Sequence, residues 1–281
     1  MAFQTLIGTA ALAAHLDDPS FAIVDCRFKL DDLTWGQREY AARHVPGAVF
    51  ADLERDLSGA KTGRNGRHPL PDPTVLARTF GTLGIDRTIQ VVAYDQDAGM
   101  YASRLWWMLR WLGHEAAAVL DGGFAKWTAE NRPTVSGRDT RPPRTFEGSP
   151  RPNMVVDADF VATIGSANDW RLVDARAPER FRGETETIDK KAGHIPGAVN
   201  HFYKLNVADD NTFLTASAIG ERLRASIGSV PSDHVVCYCG SGVTACHDLL
   251  ALEHAGLKGA KLYPGSWSEW SSDPRRPTDP K

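Results

Sequence analysis

The chain repeats four sequence landmarks in one order, and this duplication limits its fold more than any other feature. The offset between the two copies is nearly constant and far longer than the period of a solenoid repeat, so it indicates two whole domains. The four pairs are Ile23–Arg27 with Leu172–Arg176, Arg43–Val49 with Gly193–Val199, Val91–Asp95 with Val235–Cys239, and Asp121–Trp127 with Pro264–Trp270.

Within each half, short apolar strands alternate with helices. A helix and an apolar strand are followed by a polar excursion and a His-x-Pro-Gly-Ala turn with its own strand. A helix, a central strand with its loop, another helix, a further strand and an aromatic helix complete the half. This alternation indicates parallel strands with helical crossovers. We predict fold class α/β, with two tandem domains that are each a mainly parallel sheet flanked by helices.

The predicted domains span residues 1–138 and 154–281, and residues 139–153 form the linker between them. The linker is rich in proline and has little apolar periodicity, which is typical of an extended, partly stiffened segment. Near the start of the chain, the apolar residues from Leu6 to Leu16 are interrupted by Gly8, Thr9 and His15. That pattern predicts an amphipathic helix and not a secretion signal.

Composition excludes several classes of partner. The net charge is −3 and no basic block recurs, which argues against nucleic acid or an anionic membrane as partner. No apolar run reaches transmembrane length. Four cysteines in 281 residues are too few for a disulfide framework and indicate a reducing compartment. We therefore expect a cytoplasmic protein, and we expect a monomer.

The loop that begins at Cys239 is the strongest chemical signal. The preceding Val-Val-Cys-Tyr run predicts a buried strand, and residues 243–255 predict a helix closed by Gly256. At such a strand-to-helix junction, loop N–H groups and the helix dipole stabilise an anion, and a thiolate is one. Gly240 and Gly242 allow the tight turn. Cys239 is therefore a candidate nucleophile, and the alternative is a merely buried cysteine in a Gly-rich turn.

The duplication provides an internal control for this prediction. The first copy has Asp95 where the second has Cys239, so the fold alone does not require the cysteine. Zinc binding by Cys237, Cys239, Cys246 and His247 is disfavoured, because the set contains no C-x-x-C pair and is divided between a strand and a helix. We expect neither a metal nor an organic cofactor.

The landmarks together resemble a known family. His-Val-Pro-Gly-Ala and His-Ile-Pro-Gly-Ala occur in the two halves, Cys-Gly-Ser-Gly-Val-Thr-Ala occurs only in the second, and Gly-Ser-Trp-Ser-Glu-Trp closes the chain. The chain resembles the tandem rhodanese-type sulfurtransferases, most of all the 3-mercaptopyruvate type. The resemblance implies that Cys239 takes a sulfur atom as a persulfide and passes it to a thiol, thioredoxin or cyanide. The amides that would hold the persulfide are those of Gly240, Gly242, Val243 and Thr244.

The resemblance also implies roles for polar residues. Ser241 corresponds to a relay hydroxyl, with a turn-forming serine as the alternative. His68 matches the family histidine, and Glu54 occupies the position of a family aspartate, one methylene further from the backbone. Taken alone, His68 is more often a surface loop residue than a catalyst.

Recognition of the donor's carboxylate is expected to involve several cations. Arg180 aligns with the carboxylate-binding arginine, and a surface arginine is the alternative. Where the family has a second arginine, this chain has Lys190 and Lys191, and a lysine supplies charge without the planar fork. Lys190 and Arg67, which precedes His68, are the remaining candidates for substrate binding.

The sequence leaves two sulfur donors as alternatives. Gly240 and Ser241 provide no charge where thiosulfate-type enzymes have cations, which favours 3-mercaptopyruvate, whereas the lysines leave thiosulfate as the alternative. A cysteine phosphatase is disfavoured, because Ala245 and Cys246 stand where an arginine would bind phosphate. A non-catalytic binding module is disfavoured by the presence of Cys239 itself.

Overall fold

The computed structural model describes residues 2–165 and 169–280, so Met1 and Lys281, the outer limits of the predicted domains, lie outside it. The chain divides into two compact units. The first comprises Met1–Gly59, Pro71–Arg151 and Val207–Phe213, and the second comprises Ala60–Leu70, Pro152–Asn206 and Leu214–Lys281. No helix within the described residues is long and apolar enough to cross a membrane.

The first unit has a five-stranded parallel sheet in the order β1-β5-β4-β2-β3. Its strands are β1 (Leu6–Ile7), β2 (Phe21–Asp25), β3 (Val49–Phe50), β4 (Gln90–Tyr94) and β5 (Ala117–Leu120). Its helices are α1 (Thr9–Ala13), α2 (Trp35–Ala42), α3 (Pro73–Thr82), α4 (Ala102–Trp111) and α5 (Gly123–Ala129).

The amphipathic helix expected over Leu6–Leu16 is only partly present. Leu6 and Ile7 pair with Val119 and Leu120 as an edge strand, and the helix begins at Thr9, after Gly8. Two residues are too few to show the alternation of a strand, so only their pairing with β5 distinguishes them from a first helical turn.

The second unit has a four-stranded parallel sheet in the order β7-β6-β8-β9. Its strands are β6 (Arg171–Asp174), β7 (Val199–Asn200), β8 (Val235–Tyr238) and β9 (Lys261–Leu262). Its helices are α6 (Ala158–Ile164), α7 (Pro178–Phe181), α8 (Ala216–Ile227), α9 (Thr244–His254) and α10 (Ser266–Trp270). The two sheets confirm the predicted α/β fold class.

The elements that position the Cys239 loop are well determined by sequence. All four residues of β8 are buried between β6 and β9, as expected of an apolar, β-branched central strand. After α9, Gly256 has φ of +77°, its N–H bonds the Glu253 carbonyl, and the Leu257 N–H bonds the Leu252 carbonyl. This pair of bonds is a Schellman motif, and glycine suits its left-handed residue.

Candidate active site

Cys239 follows the carboxyl end of β8 and is 2% exposed. Its N–H donates to Ser266 Oγ at 3.1 Å, and its carbonyl accepts from the Trp267 N–H at 2.9 Å. The Gly240 carbonyl accepts from the Ser268 N–H at 2.9 Å. The start of α10 therefore fixes the backbone on both sides of the Cys239–Gly240 peptide bond.

Loop amides beside Cys239 are open to a ligand. Val243 and Thr244 lie at the start of α9, and their N–H groups have no hydrogen-bond partner in the described part of the chain. A helix start with free N–H groups favours an anion, so this loop can hold a negatively charged sulfur.

The first unit shows what an occupied loop of this kind looks like. Asp95, the counterpart of Cys239, is fully buried, and its carboxylate accepts from the N–H groups of Asp97, Gly99, Tyr101 and Ala102 at 2.7–3.2 Å. Tyr101 and Ala102 begin α4 just as Val243 and Thr244 begin α9. The first copy thus fills its amide site with its own carboxylate, whereas in the second copy the N–H groups of Val243 and Thr244 have no partner among the described residues.

Ser241 and His68 form a direct pair in the second unit. Ser241 Oγ lies 2.7 Å from His68 Nδ1, and the two residues are 6% and 1% exposed. His68 belongs to the Ala60–Leu70 segment of the second unit. A hydroxyl hydrogen-bonded to a buried imidazole, two residues after a candidate nucleophile, can move a proton.

Two guanidinium groups lie beside Gly240. A Cβ on this glycine would be 2.7 Å from Arg67 Nη2 and 3.7 Å from Arg180 Nη1. Neither of these two nitrogens has a hydrogen-bond partner among the described residues, and Arg67 Nε is buried without one. The absence of a side chain at Gly240 therefore brings two cations to the residue after the nucleophile.

Two acids hold these arginines in place. Arg180 Nη2 donates to both oxygens of Glu186 at 2.8 Å, and Asp189 pairs with Arg67 and with Arg180. Burial raises the pKa of Asp189 and nearby Glu186 adds to the rise, although Arg67 acts against it. Burial also raises the pKa of Glu186, but the N–H groups of Asp189 and Ile188, with Arg180, outweigh it and leave that pKa below its usual value.

The remaining predicted residues are less closely tied to the loop. Lys190 is exposed and lines a cavity that also contains Arg67 and Asp189. Glu54 lies in the first unit after β3, half-buried, and its N–H donates to Asp52 Oδ1 at 2.9 Å. Its part in a relay therefore stays a prediction. Within the described residues, no group of three or more His, Cys, Asp or Glu side chains could hold a metal ion.

Sequence reasoning missed Ser266, Ser268, Glu186 and Asp189. The repeat contained a signal for the two serines, because they replace Gly123 and Ala125 of the first copy. Ser266 has φ of +54°, close to the +57° of Gly123, which is an unusual conformation for a residue with a side chain and marks a position held by its surroundings. The two acids lie in a polar excursion whose composition carries no comparable signal.

Comparison with known proteins identifies the family of the chain. The rhodanese-like domain family matches residues 9–130 and 157–273, so the chain belongs to the rhodanese-like family and carries two copies of its domain. It is 45% identical, over 99% of its length and 98% of the relative, to a protein of Pseudomonas aeruginosa named as a probable 3-mercaptopyruvate sulfurtransferase. A protein of Mycobacterium tuberculosis whose name places it among the thiosulfate sulfurtransferases is 39% identical over 98% of this chain and 96% of its own.

Among solved structures, the 3-mercaptopyruvate sulfurtransferase from Leishmania major has a TM-score of 0.85 and 30% identity, covering 95% of this chain and 74% of its own. The relatives are sulfurtransferases, and the chain shares their fold over nearly its whole length. The predicted recognition, enzyme class and fold are thereby confirmed.

Proposed function

We propose that the protein moves sulfur from 3-mercaptopyruvate to Cys239, and from there to a thiol, thioredoxin or cyanide. The observation that carries this proposal is the 2.7 Å contact of Ser241 Oγ with His68 Nδ1 in the loop that presents Cys239. The proposed catalytic residues are Cys239, Ser241, His68 and Glu54. The substrate-binding residues are Arg180, Arg67 and Lys190, with the backbone of Gly240, Gly242, Val243 and Thr244.

In the first half-reaction, the Cys239 thiolate attacks the sulfur of the donor. A sulfur–sulfur bond forms, the carbon–sulfur bond of 3-mercaptopyruvate breaks, and its electron pair stays on carbon as the enolate of pyruvate. The proton lost by Cys239 ends on that carbon, and Ser241 with His68 provides the route. The donor's carboxylate binds Arg180 and Arg67, which places its sulfur near Cys239.

In the second half-reaction, an acceptor thiolate attacks the outer sulfur of the Cys239 persulfide. A new sulfur–sulfur bond forms on the acceptor, and the Cys239 thiolate leaves. The N–H groups of Val243 and Thr244 stabilise the negative charge on the bound sulfur, as the amides of the first copy do for the Asp95 carboxylate.

Thiosulfate is the second candidate donor, because Arg67 and Arg180 bring two cations to Gly240 that the loop sequence lacks. After thiosulfate has given its outer sulfur to Cys239, however, the rest of the molecule leaves as sulfite, and sulfite needs no proton to leave. A proton relay through Ser241 and His68 would therefore have no step to assist when thiosulfate is the donor. The relay therefore supports 3-mercaptopyruvate.

The test compares kcat/KM for the two donors in the wild type, in Ser241→Ala and in Ser232→Ala. Ser232 donates to the Lys258 carbonyl in the same unit and serves as the matched control. With 3-mercaptopyruvate, Ser241→Ala should lower kcat/KM about 100-fold, and with thiosulfate it should change little. Equal or better use of thiosulfate by the wild type would overturn the donor assignment. If kcat/KM for 3-mercaptopyruvate is the same in Ser241→Ala as in the wild type, the proposed proton relay is wrong.

We also propose that the protein acts as a monomer in the cytoplasm. All four cysteines are free, which suits a reducing compartment. Light scattering of the eluting protein during gel filtration tests the monomer, since a mass of twice 30.7 kDa would contradict it.

A further inference from the structure

A cavity of about 580 Å³ lies in the second unit. This volume is in the range of small-molecule sites, which are about 300–1,000 Å³. The segments that line it are the Lys61–Arg67 loop, the excursion around Ile188–Lys191, Ser268 within α10, and residues 271–274 after that helix.

The charge of this cavity is strongly positive. Four cations line it (Lys61, Arg67, Lys190 and Lys191), and Asp189 is the acid among the described lining residues. Asp189 is already paired with Arg67 and Arg180, whereas Lys190 and Lys191 make no ion pair within the described residues. The charges of Lys190 and Lys191 are therefore available to a ligand that brings its own negative charge.

Two lining residues connect the cavity to the nucleophile. Arg67 Nη2 lies against Gly240, and the Arg67 N–H donates to Ser268 Oγ at 3.1 Å. Ser268 in turn donates its N–H to the Gly240 carbonyl. Arg67 and Ser268 therefore border both the cavity and Gly240, the residue that follows Cys239.

We propose that this cavity binds the sulfur acceptor, and that the preferred acceptor is a small thiol with two carboxylates. The proposal rests on the proposed function, because it needs a Cys239 persulfide to discharge. The carboxylates bind the lysines, and the acceptor thiolate reaches the outer sulfur of the persulfide. The sulfur–sulfur bond to Cys239 breaks as the bond to the acceptor forms, so no external oxidant or reductant is needed.

The test measures discharge of the persulfide by three thiols that differ in charge: mercaptosuccinate, 3-mercaptopropionate and 2-mercaptoethanol. Rates are compared per thiolate, since the three thiols ionise differently. We expect mercaptosuccinate to exceed 2-mercaptoethanol about tenfold at low salt, and the advantage to shrink as salt rises. Cyanide, which is too small to reach the lysines, is the control acceptor.

Lys61→Gln and Lys191→Gln provide the variants, with Lys258→Gln as a matched control on the exposed surface outside this lining. Each cavity variant should slow discharge by mercaptosuccinate about fivefold, and should leave discharge by cyanide and pyruvate release in a single turnover unchanged. Equal rates for the three thiols would overturn the proposal. If Lys61→Gln or Lys191→Gln weakens donor use instead, the proposal is also overturned, since these two lysines would then bind the donor together with Arg67 and Lys190.

Loading the protein with either 3-mercaptopyruvate or thiosulfate separates the two proposals. A wrong donor appears in the loading step, whereas a wrong acceptor site appears only in discharge. If neither donor loads Cys239, both the proposed function and the acceptor site are refuted.

Discussion

Arg67 and Arg180 differ in how firmly they are held. Arg180 has two nitrogens on Glu186, and Arg67 has one on Asp189. Each presents one free nitrogen to Gly240, so the two guanidinium groups can share one carboxylate of the donor. Under the proposed function, Arg67 from the segment before His68 would take the place of the second arginine that the polar excursion lacks.

Substitution of either arginine should therefore weaken donor binding. We expect Arg67→Ala and Arg180→Ala to raise KM for 3-mercaptopyruvate about tenfold each, and Arg180→Lys to recover only part of the loss, because lysine has no fork. Arg182→Ala is the control, since Arg182 is exposed and pairs with Glu184. Steady-state kinetics with 3-mercaptopyruvate provides the measurement, and an unchanged KM in Arg67→Ala would exclude that residue from the donor site.

Sequence reasoning reached these residues unevenly. The Cys239 loop, His68 and Arg180 could be found from sequence because each lies in a short motif of consecutive residues. The pairing of Arg67 with Asp189 joins positions 122 residues apart, and the segment Ala60–Leu70 joins the second unit although it precedes Pro71–Arg151 of the first. Local patterns carry no information about such contacts, since periodicity reports only which face of an element is buried.

At the scale of elements, the two strand-to-helix loops use one design with different occupants. The Asp95 carboxylate occupies the amides at the start of α4, and its pKa is raised to about 6. Burial is the main cause, and Asp97 adds to the rise, while the N–H groups of Ala102, Tyr101 and Gly99 act against it. At neutral pH the first loop therefore holds an anion.

This raised pKa predicts how stability changes with pH. Between an unfolded pKa of about 4 and the folded value of about 6, the folded protein binds more protons, so stability falls as pH rises through that window and then levels off. Over that pH window, the free energy of unfolding should fall by up to about 3 kcal/mol less in Asp95→Asn than in the wild type. Urea unfolding from pH 4 to 7 measures it, with the exposed Asp31→Asn as control. The same pH slope in Asp95→Asn and the wild type would contradict the assignment.

Elements were predicted best where an apolar run was long enough to show its period. β8 and α9 occur as expected, and the predicted helix at residues 243–255 begins one residue later, at Thr244, and ends at His254. The two-residue strand β1 and the four-residue helix α7 were not predicted. Elements that short depend on pairing and packing rather than on local propensity.

At the scale of the molecule, the duplication repeats several contacts that support the fold, while the residues of the strand-to-helix loop differ between the copies. Each unit buries an aspartate–arginine ion pair at the end of a strand. Asp25, which ends β2, pairs with Arg27 at 2.7 Å, and Asp174, which ends β6, pairs with Arg176 at 2.6 Å. Trp127 and Trp270 likewise donate from Nε1 to the carbonyls of Pro133 and Pro277, at 2.8 Å in both cases. Cys239 and the unpaired N–H groups of Val243 and Thr244 occur in the second copy, which is why we propose that the sulfur chemistry takes place there.

All four cysteines are buried, and Cys239 is the one that lies in the strand-to-helix loop. Burial, with nearby acids, raises the pKa of Cys26 and of Cys237 well above the ordinary value, which keeps both as unreactive thiols. Cys246 is fully buried within α9. We therefore expect the donor's sulfur atom to be loaded onto Cys239 and onto none of the other three cysteines.

Peptide mass spectrometry of the native protein after treatment with 3-mercaptopyruvate tests that claim most directly. The account predicts one added sulfur atom on the peptide that contains Cys239, lost again when a thiol acceptor is supplied and absent from Cys239→Ser. Sulfur on the peptide that contains Cys26, or on Cys237 or Cys246, or no added sulfur at all, would contradict it.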